Sequence, residues 1–317
     1  MIDLSIIKIP RLLNDRMLIP TCFDDSIATI TTSFQRDYPF MYLHSWGFPY
    51  KESTKCISES FNWTDKKLEC LRIYHGVVGE KVYVANGLES AIGRIEKALN
   101  NGISVLVSVS CFWTSWDKNY QIRDDIAHNF ILTKVNLAEN VFYGIDPYYN
   151  LTKVEIEKEN LEKGLQTAVF FQLEDTYTND ALEFKNTLLQ YLEMKLIEDS
   201  EEGGNGIKQF SKDILLKEMT EIDAQRLPFL MNKITSSRME FAILLQYMSK
   251  KSKEGLFHTV AENVILIAQQ WNIVCALFMK YFVVKDNRVL KKIVDKIEEI
   301  NELENQTSRQ LIDKLLL

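Results

Sequence analysis

The chain has 317 residues, 46% hydrophobic and 26% charged, a balance that excludes a disordered protein and is long enough for two hydrophobic cores. Its formal net charge is −7, from 37 basic and 44 acidic side chains, and no basic stripe is interleaved with aromatics, which argues against a nucleic-acid partner. Five cysteines, at 22, 56, 70, 111 and 275, are odd in number and contain no C-x-x-C pair, so neither a disulfide framework nor a structural zinc site fits.

In chain order, residues 1–20 read as a short strand and a turn, and Met1–Ser5 lacks the basic and apolar regions of a signal peptide, so a reducing cytoplasm is the expected compartment. Apolar spacing at Phe23, Ile27, Ile30 and Phe34 predicts a first helix over 22–35, stopped before Asp37-Tyr38-Pro39. Thr21 suits its N-cap, and Asp24 and Asp25 its first turn. Cys22 then sits at the positive end of a helix, where a thiolate is favoured and unpaired N–H groups can hold an oxyanion; the two aspartates oppose the thiolate. By itself such a cysteine is more often a small buried hydrophobe than a nucleophile. The aromatic segment Phe40–Tyr50, with Tyr42, Trp46 and Phe48, fits either a packed connection or a pocket wall.

Lys66–Ile73 is ambiguous between helix and strand, Lys81–Ala85 predicts a strand, Gly87–Asn100 a helix closed by Asn101-Gly102, and Ile103–Val109 a strand. A second aromatic loop follows, with Cys111, Phe112, Trp113, Trp116 and Tyr120. Ala127–Val135 and Val141–Pro147 predict an antiparallel hairpin around the turn 136–140. A symmetric hairpin would set His128 opposite Asp146, with Cβ atoms about 5 Å apart and both side chains on one face, unless a bulge shifts the register.

From Asp180 onward the pattern is almost wholly helical, over 181–196, 206–221, 223–250, 256–284 and 287–317, interrupted by the charged loop 198–204. The run Val264–Val284 contains Gln269, Gln270, Asn272 and Lys280, which favours a buried core helix over a membrane span. Apolar residues at 290, 294, 297, 300 and 303 mark the last helix as amphipathic, packing on its neighbours or on a second subunit in a homodimer. The expected architecture is α+β, with an antiparallel-sheet domain over 1–175 and a helical domain over 176–317.

Cys22, His128 and Asp146 stand in the order cysteine, histidine, aspartate. On these residues, with Val105–Tyr120, His128–Leu132 and Tyr143–Pro147 around them, the segment 20–147 resembles the N-terminal domain of the butirosin biosynthesis protein H family, papain-like and C39-peptidase-like enzymes of antibiotic biosynthesis. The resemblance implies a papain-like domain with an N-terminal catalytic helix, and an amide-forming cysteine acyltransferase. Cys22 would be the nucleophile, His128 the general base and acid, and Asp146 the group orienting His128. It further implies an acyl thioester donor on the phosphopantetheine of an acyl or peptidyl carrier protein and a small amine acceptor; no bound cofactor is expected, and charge, cysteine spacing and the polar residues of 264–284 set the expectation of no nucleic acid, metal or membrane. Papain-like proteases carry a glutamine six residues before the cysteine; here that residue is Arg16, and Asn14 is the candidate second oxyanion donor beside the Cys22 N–H. Tyr42, Trp46, Phe48, Phe112, Trp113 and Trp116 are the candidates for a dry substrate pocket. Lys250, Lys251 and Lys253, or Lys291 and Lys292, offer basic faces for an acidic carrier.

Other readings compete. A peptidase or thioesterase would use the same triad, and a binding protein could reuse a protease fold. His44, His75 and His258 read as structural, Cys111 as a core or pocket thiol, and Asp124-Asp125 as a solvated loop.

Overall fold

A computed structural model describes residues 4–11, 21–52, 56–174, 181–198, 206–252 and 255–316. It is an α+β protein of two compact units. The first takes Met1–Arg11, Pro20–Tyr38 and Leu68–Asn179, and the second includes Pro39–Lys67 and Asp180–Leu317. The boundary differs from a simple division near residue 175, because the aromatic segment after Tyr38 belongs to the helical unit.

The first unit is built on an antiparallel sheet of six strands: β1 Val77–Tyr83, β2 Val105–Ser110, β3 Ala127–Asn136, β4 Val141–Asp146, β5 Leu151–Glu157 and β6 Leu165–Leu173, in the order β1-β6-β2-β3-β4-β5. Strands β5 and β6, and the short helix α4 Lys158–Gly164 between them, fall in a stretch that the pattern reading leaves unassigned, although Val154 and Ile156 alternate inward with charged neighbours. One sheet face buries Val105, Val107, Val109, Phe130, Leu132 and Phe142 together with Ile92, Ile95 and Leu99 of α3 Leu88–Asn100. The opposite-facing Leu106 and Ile131, partners across β2 and β3, are also fully buried. Sheets covered on both sides place backbone and side chains with little freedom.

Helix α1, Cys22–Ser33, packs against β3. Its start is fixed by a capping box: the Thr21 hydroxyl accepts from the Asp24 N–H at 3.2 Å, and the Asp24 carboxylate accepts from the Thr21 N–H at 3.0 Å. Residues 4–11 form no strand. They run as irregular chain held to α1, with the Ile9 N–H on Asp25 at 3.1 Å and the Ile7 N–H on Thr29 at 3.0 Å. Lys67–His75 resolves as the helix α2.

The β3–β4 register corrects the symmetric hairpin. Ile131 pairs with Ile145 and Leu132 with Gly144, but Lys134 pairs with Tyr143, so Thr133 is an extra residue in β3. Extending the register by one step sets Asp146 opposite Phe130, with His128 two residues further along the same face. Gly144 lies at the irregularity, where a Cβ would collide with the Ile131 carbonyl oxygen. The turn into β5 ends at Asn150, in the left-handed region at φ 57°.

The helical unit contains α5 Ala181–Glu198, α6 Gly206–Leu216, α7 Glu221–Ser252, α8 Gly255–Val284 and α9 Asn287–Leu315. Helix α8 packs on α7 and α9, and α9 on α6. Among the described residues, α8 is the one helix long and apolar enough to cross a membrane; its Val264, Trp271, Val274 and Phe278 are buried, while Leu266, Ile273, Met279 and Val283 are exposed. The inward stripe of α9 runs through Ile293, Ile297, Ile300, Glu304 and Leu311, so Glu304 rather than Leu303 points to the core.

Candidate active site

The first link in the site is local. Cys22 is the first residue of α1, and the first intrahelical bond runs from the Asp25 N–H to the Thr21 carbonyl at 3.1 Å. The N–H groups of Cys22 and Phe23 therefore precede the helical ladder, leaving the sulfur beside the positive end of the helix. Asp24 is engaged in the capping box. Asp25 is fully buried, and burial raises its pKa to about 6 against the lowering effects of the Ile9 N–H and Arg11. Neither carboxylate is free to act on substrate.

The second link comes from the hairpin. The His128 Nε2 lies 2.6 Å from Asp146 Oδ2, both side chains being almost wholly buried. The pair therefore forms, but diagonally: the register at the turn would set Asp146 opposite Ile131, and the extra Thr133 shifts it by one, opposite Phe130, onto the face that His128 shares. Asp146 is held in turn: its Oδ2 accepts from the Trp116 indole N–H at 2.7 Å, and its Oδ1 from the Tyr149 N–H at 3.2 Å. The imidazole lies between aromatic rings, stacked on Phe130 at 6.3 Å and tilted against Tyr149 at 5.2 Å. With Nε2 committed to Asp146, Nδ1 is the nitrogen left for proton exchange.

Cys22 and His128 meet. Burial would raise the Cys22 pKa, but a hydrogen bond and charge from His128, and N–H groups of Asn129, bring it below its ordinary value. Burial likewise opposes the charged form of His128, yet hydrogen bonds and charge from Asp146 and Cys22 raise its pKa to about 10. Both shifts favour the charged pair, thiolate and imidazolium, over the neutral one. The Asn129 side-chain N–H donates to the sulfur at 3.3 Å.

A second carboxylate stands behind. Asp117 Oδ2 is 3.8 Å from His128 Nδ1 and accepts from the Tyr149 hydroxyl at 3.0 Å, while its Oδ1 accepts from the Asn119 backbone N–H at 2.7 Å. Cys111 is buried beside it. Burial and Asp117 push the Cys111 thiol up to about 12, so it is a neutral thiol under ordinary conditions.

The aromatic candidates separate. Trp116 is a hydrogen-bond donor to Asp146 rather than a bare apolar wall. Trp113 packs on the sheet core, where Gly164 leaves it room, and makes an edge contact with Phe112. Tyr42 and Trp46 are buried in the helical unit, with Trp46 stacked on Phe241 and Phe48 on Trp271. Tyr42 and Trp46 thus lie in that unit's core, and half-buried Phe48 packs on Trp271 and Phe210. Asn14 and Arg16 lie outside the described residues, as do Lys253 and the loop 199–205. His44 makes an edge contact with Tyr191 in the helical unit, His75 is buried in the sheet unit, and exposed His258 lies 3.5 Å from Glu262. Asp125 pairs with Arg123 in an exposed loop. Among the described residues no group of three or more His, Cys, Asp or Glu is arranged to hold a metal ion.

Asn129, Asp117 and Tyr149 escape the sequence reading. Only the adjacency of Asn129 to a strand histidine offers a signal, and strand neighbours ordinarily point apart. No family model matches the chain, and no curated protein matches it.

Proposed function

We propose that the chain is a cysteine-dependent acyltransferase that forms an amide bond. The reading agrees with the resemblance of residues 20–147 to papain-like, C39-like enzymes of the butirosin biosynthesis protein H family. The observation that supports it is the sequence of contacts from a thiolate-favouring helix start, through His128, to a buried Asp146 at 2.6 Å.

In the first half-reaction the Cys22 thiolate attacks the carbonyl carbon of an acyl thioester. The donor thiolate leaves as the carbonyl re-forms and takes its proton from the His128 imidazolium. In the second, an amine attacks acyl-Cys22 and gives its proton to neutral His128. The amide is released and the thiolate returns. Asp146 holds the imidazole in the tautomer and orientation both halves require. A thioester suits this nucleophile because one thiolate replaces another. The phosphopantetheine arm of a carrier protein is the donor of that chemical class, with a small amine as acceptor in natural-product assembly.

Incubation with an acyl thioester, with and without amines, tests the proposal. The expected result is an acyl adduct on Cys22 by mass spectrometry, converted to amide when amine is added. Free acid alone would make the protein a hydrolase, and the absence of any adduct would leave a binding protein.

A further inference from the structure

We infer that Asn129 supplies the side-chain N–H that holds the oxyanion formed at Cys22, an inference that rests on the acyl-transfer reading above. Its Nδ2 donates to the Cys22 sulfur at 3.3 Å, and its backbone N–H is directed to the same atom. Asn129 is fixed in β3 opposite Ser108 of β2, one residue from His128. Successive strand side chains diverge, so the amide and the imidazole approach the sulfur from different sides. That arrangement separates proton transfer from charge stabilisation.

In the resting site the Asn129 donors face the sulfur, where they favour its thiolate form. As the S–C bond forms, the carbonyl π pair moves onto oxygen, and the charge passes from the sulfur to an atom two bonds away. A donor already in place at the sulfur can follow the charge by a small side-chain rotation. The Cys22 N–H, outside the helical ladder, is positioned to give the other hydrogen bond. When the leaving thiolate departs, the oxygen pair re-forms the carbonyl and Asn129 returns to the sulfur. A donor aimed at developing charge in a buried site contributes far more than the same bond in water.

The experiment compares two reactions of one sulfur. Acylation by an N-acetylcysteamine thioester passes through an oxyanion; alkylation by iodoacetamide does not. Both rates are measured at Cys22 by peptide mass spectrometry, at a pH where the thiolate is fully formed. In Asn129→Ala, acylation is expected to fall about 10²-fold or more while alkylation changes by less than about threefold. Asn129→Leu, close in shape, uncharged and without the N–H, reads the same ratio should the alanine variant fail to fold. Equal losses in both reactions, or unchanged acylation, would overturn the inference. If the wild-type protein is not acylated at all, the acyl-transfer reading fails and this inference falls with it, an outcome visible before any variant is made.

Discussion

Each unit buries a charged constellation, and the two behave differently. In the helical unit Arg238 and Glu304 are wholly inaccessible: Nε and Nη2 of Arg238 donate to Glu304, each at 2.9 Å, and Nη1 to the Gly47 carbonyl at 2.7 Å. The Trp271 indole N–H adds a bond to Glu304 at 2.9 Å, and the guanidinium lies 5.3 Å from the Trp46 ring centroid. In the sheet unit His128 and Asp146 are equally buried, and an indole N–H again completes the carboxylate. Here, however, one imidazole nitrogen remains for the proton of a neighbouring thiol. Burial obliges charges to pair. Pairing becomes chemistry only when one member can exchange a proton with its neighbour, which histidine does and arginine does not.

The largest test removes that proton carrier. In His128→Ala, burial of Cys22 is opposed by Asn129 alone, so its thiol should return to or above the ordinary cysteine range. Acyl transfer should fall by about 10⁴-fold, with loss of the preferential iodoacetamide labelling of Cys22 at pH 7. Labelling that stays as fast as in the wild type would show that the imidazole does not set the state of the sulfur. The matching cut in the helical unit, Arg238→Met, leaves Glu304 buried without its counter-charge. It should cost about 3–5 kcal/mol in denaturant unfolding, and a loss under about 1 kcal/mol would mean that the pair is not the scaffold described.

Alkaline pH should separate the pairs without mutation. The folded His128 pKa, raised from 6.5 to about 10, exceeds its unfolded value. Its pairing stabilises fully below about pH 6.5, and that contribution is lost as pH rises through about 10. A guanidinium as a chemical group keeps its charge across this range, so alkali does not open the pair of the helical unit. NMR titration of the His128 ring should therefore find an elevated midpoint, falling toward the ordinary value in Asp146→Asn. A midpoint near 6.5 in the wild type would remove the thiolate–imidazolium description.

How much of this was legible follows the range of the forces involved. Thr21, Cys22 and Asp24 lie within four residues, and capping rules alone place the sulfur at a helix start. His128 and Asp146 depend on one hairpin; a symmetric hairpin about residue 137 put them on one face, but the turn is centred between 138 and 139 and only the Thr133 bulge, which nothing local in the sequence marks, restores that face. Asp117, Asn129 and Tyr149 join the site only after the sheet forms and a loop folds over it. Composition could not decide between core and pocket for Phe40–Tyr50, since aromatic rings serve both. The α9 phase slipped for a similar reason: Glu304 looks like a solvent residue until Arg238, 66 residues away, meets it.

The smallest test sets the two indoles against each other. Trp116 Nε1 and His128 Nε2 share one carboxylate oxygen, at 2.7 and 2.6 Å. Trp116→Phe keeps an aromatic ring against Phe130 but removes the N–H, leaving the charge of Asp146 concentrated on His128. Acyl transfer should fall about tenfold, the scale of one lost hydrogen bond to a charged group, through looser positioning of Asp146. The alkaline limb of the Cys22 alkylation profile should move upward, because the imidazolium is held more tightly. Trp271→Phe removes the equivalent bond to Glu304 and should instead appear as a stability loss of about 1–3 kcal/mol. If Trp116→Phe lowers stability by as much as Trp271→Phe while turnover and the alkaline limb stay fixed, the indole over Asp146 is scaffolding and the distinction between the two buried pairs narrows to His128 and Cys22.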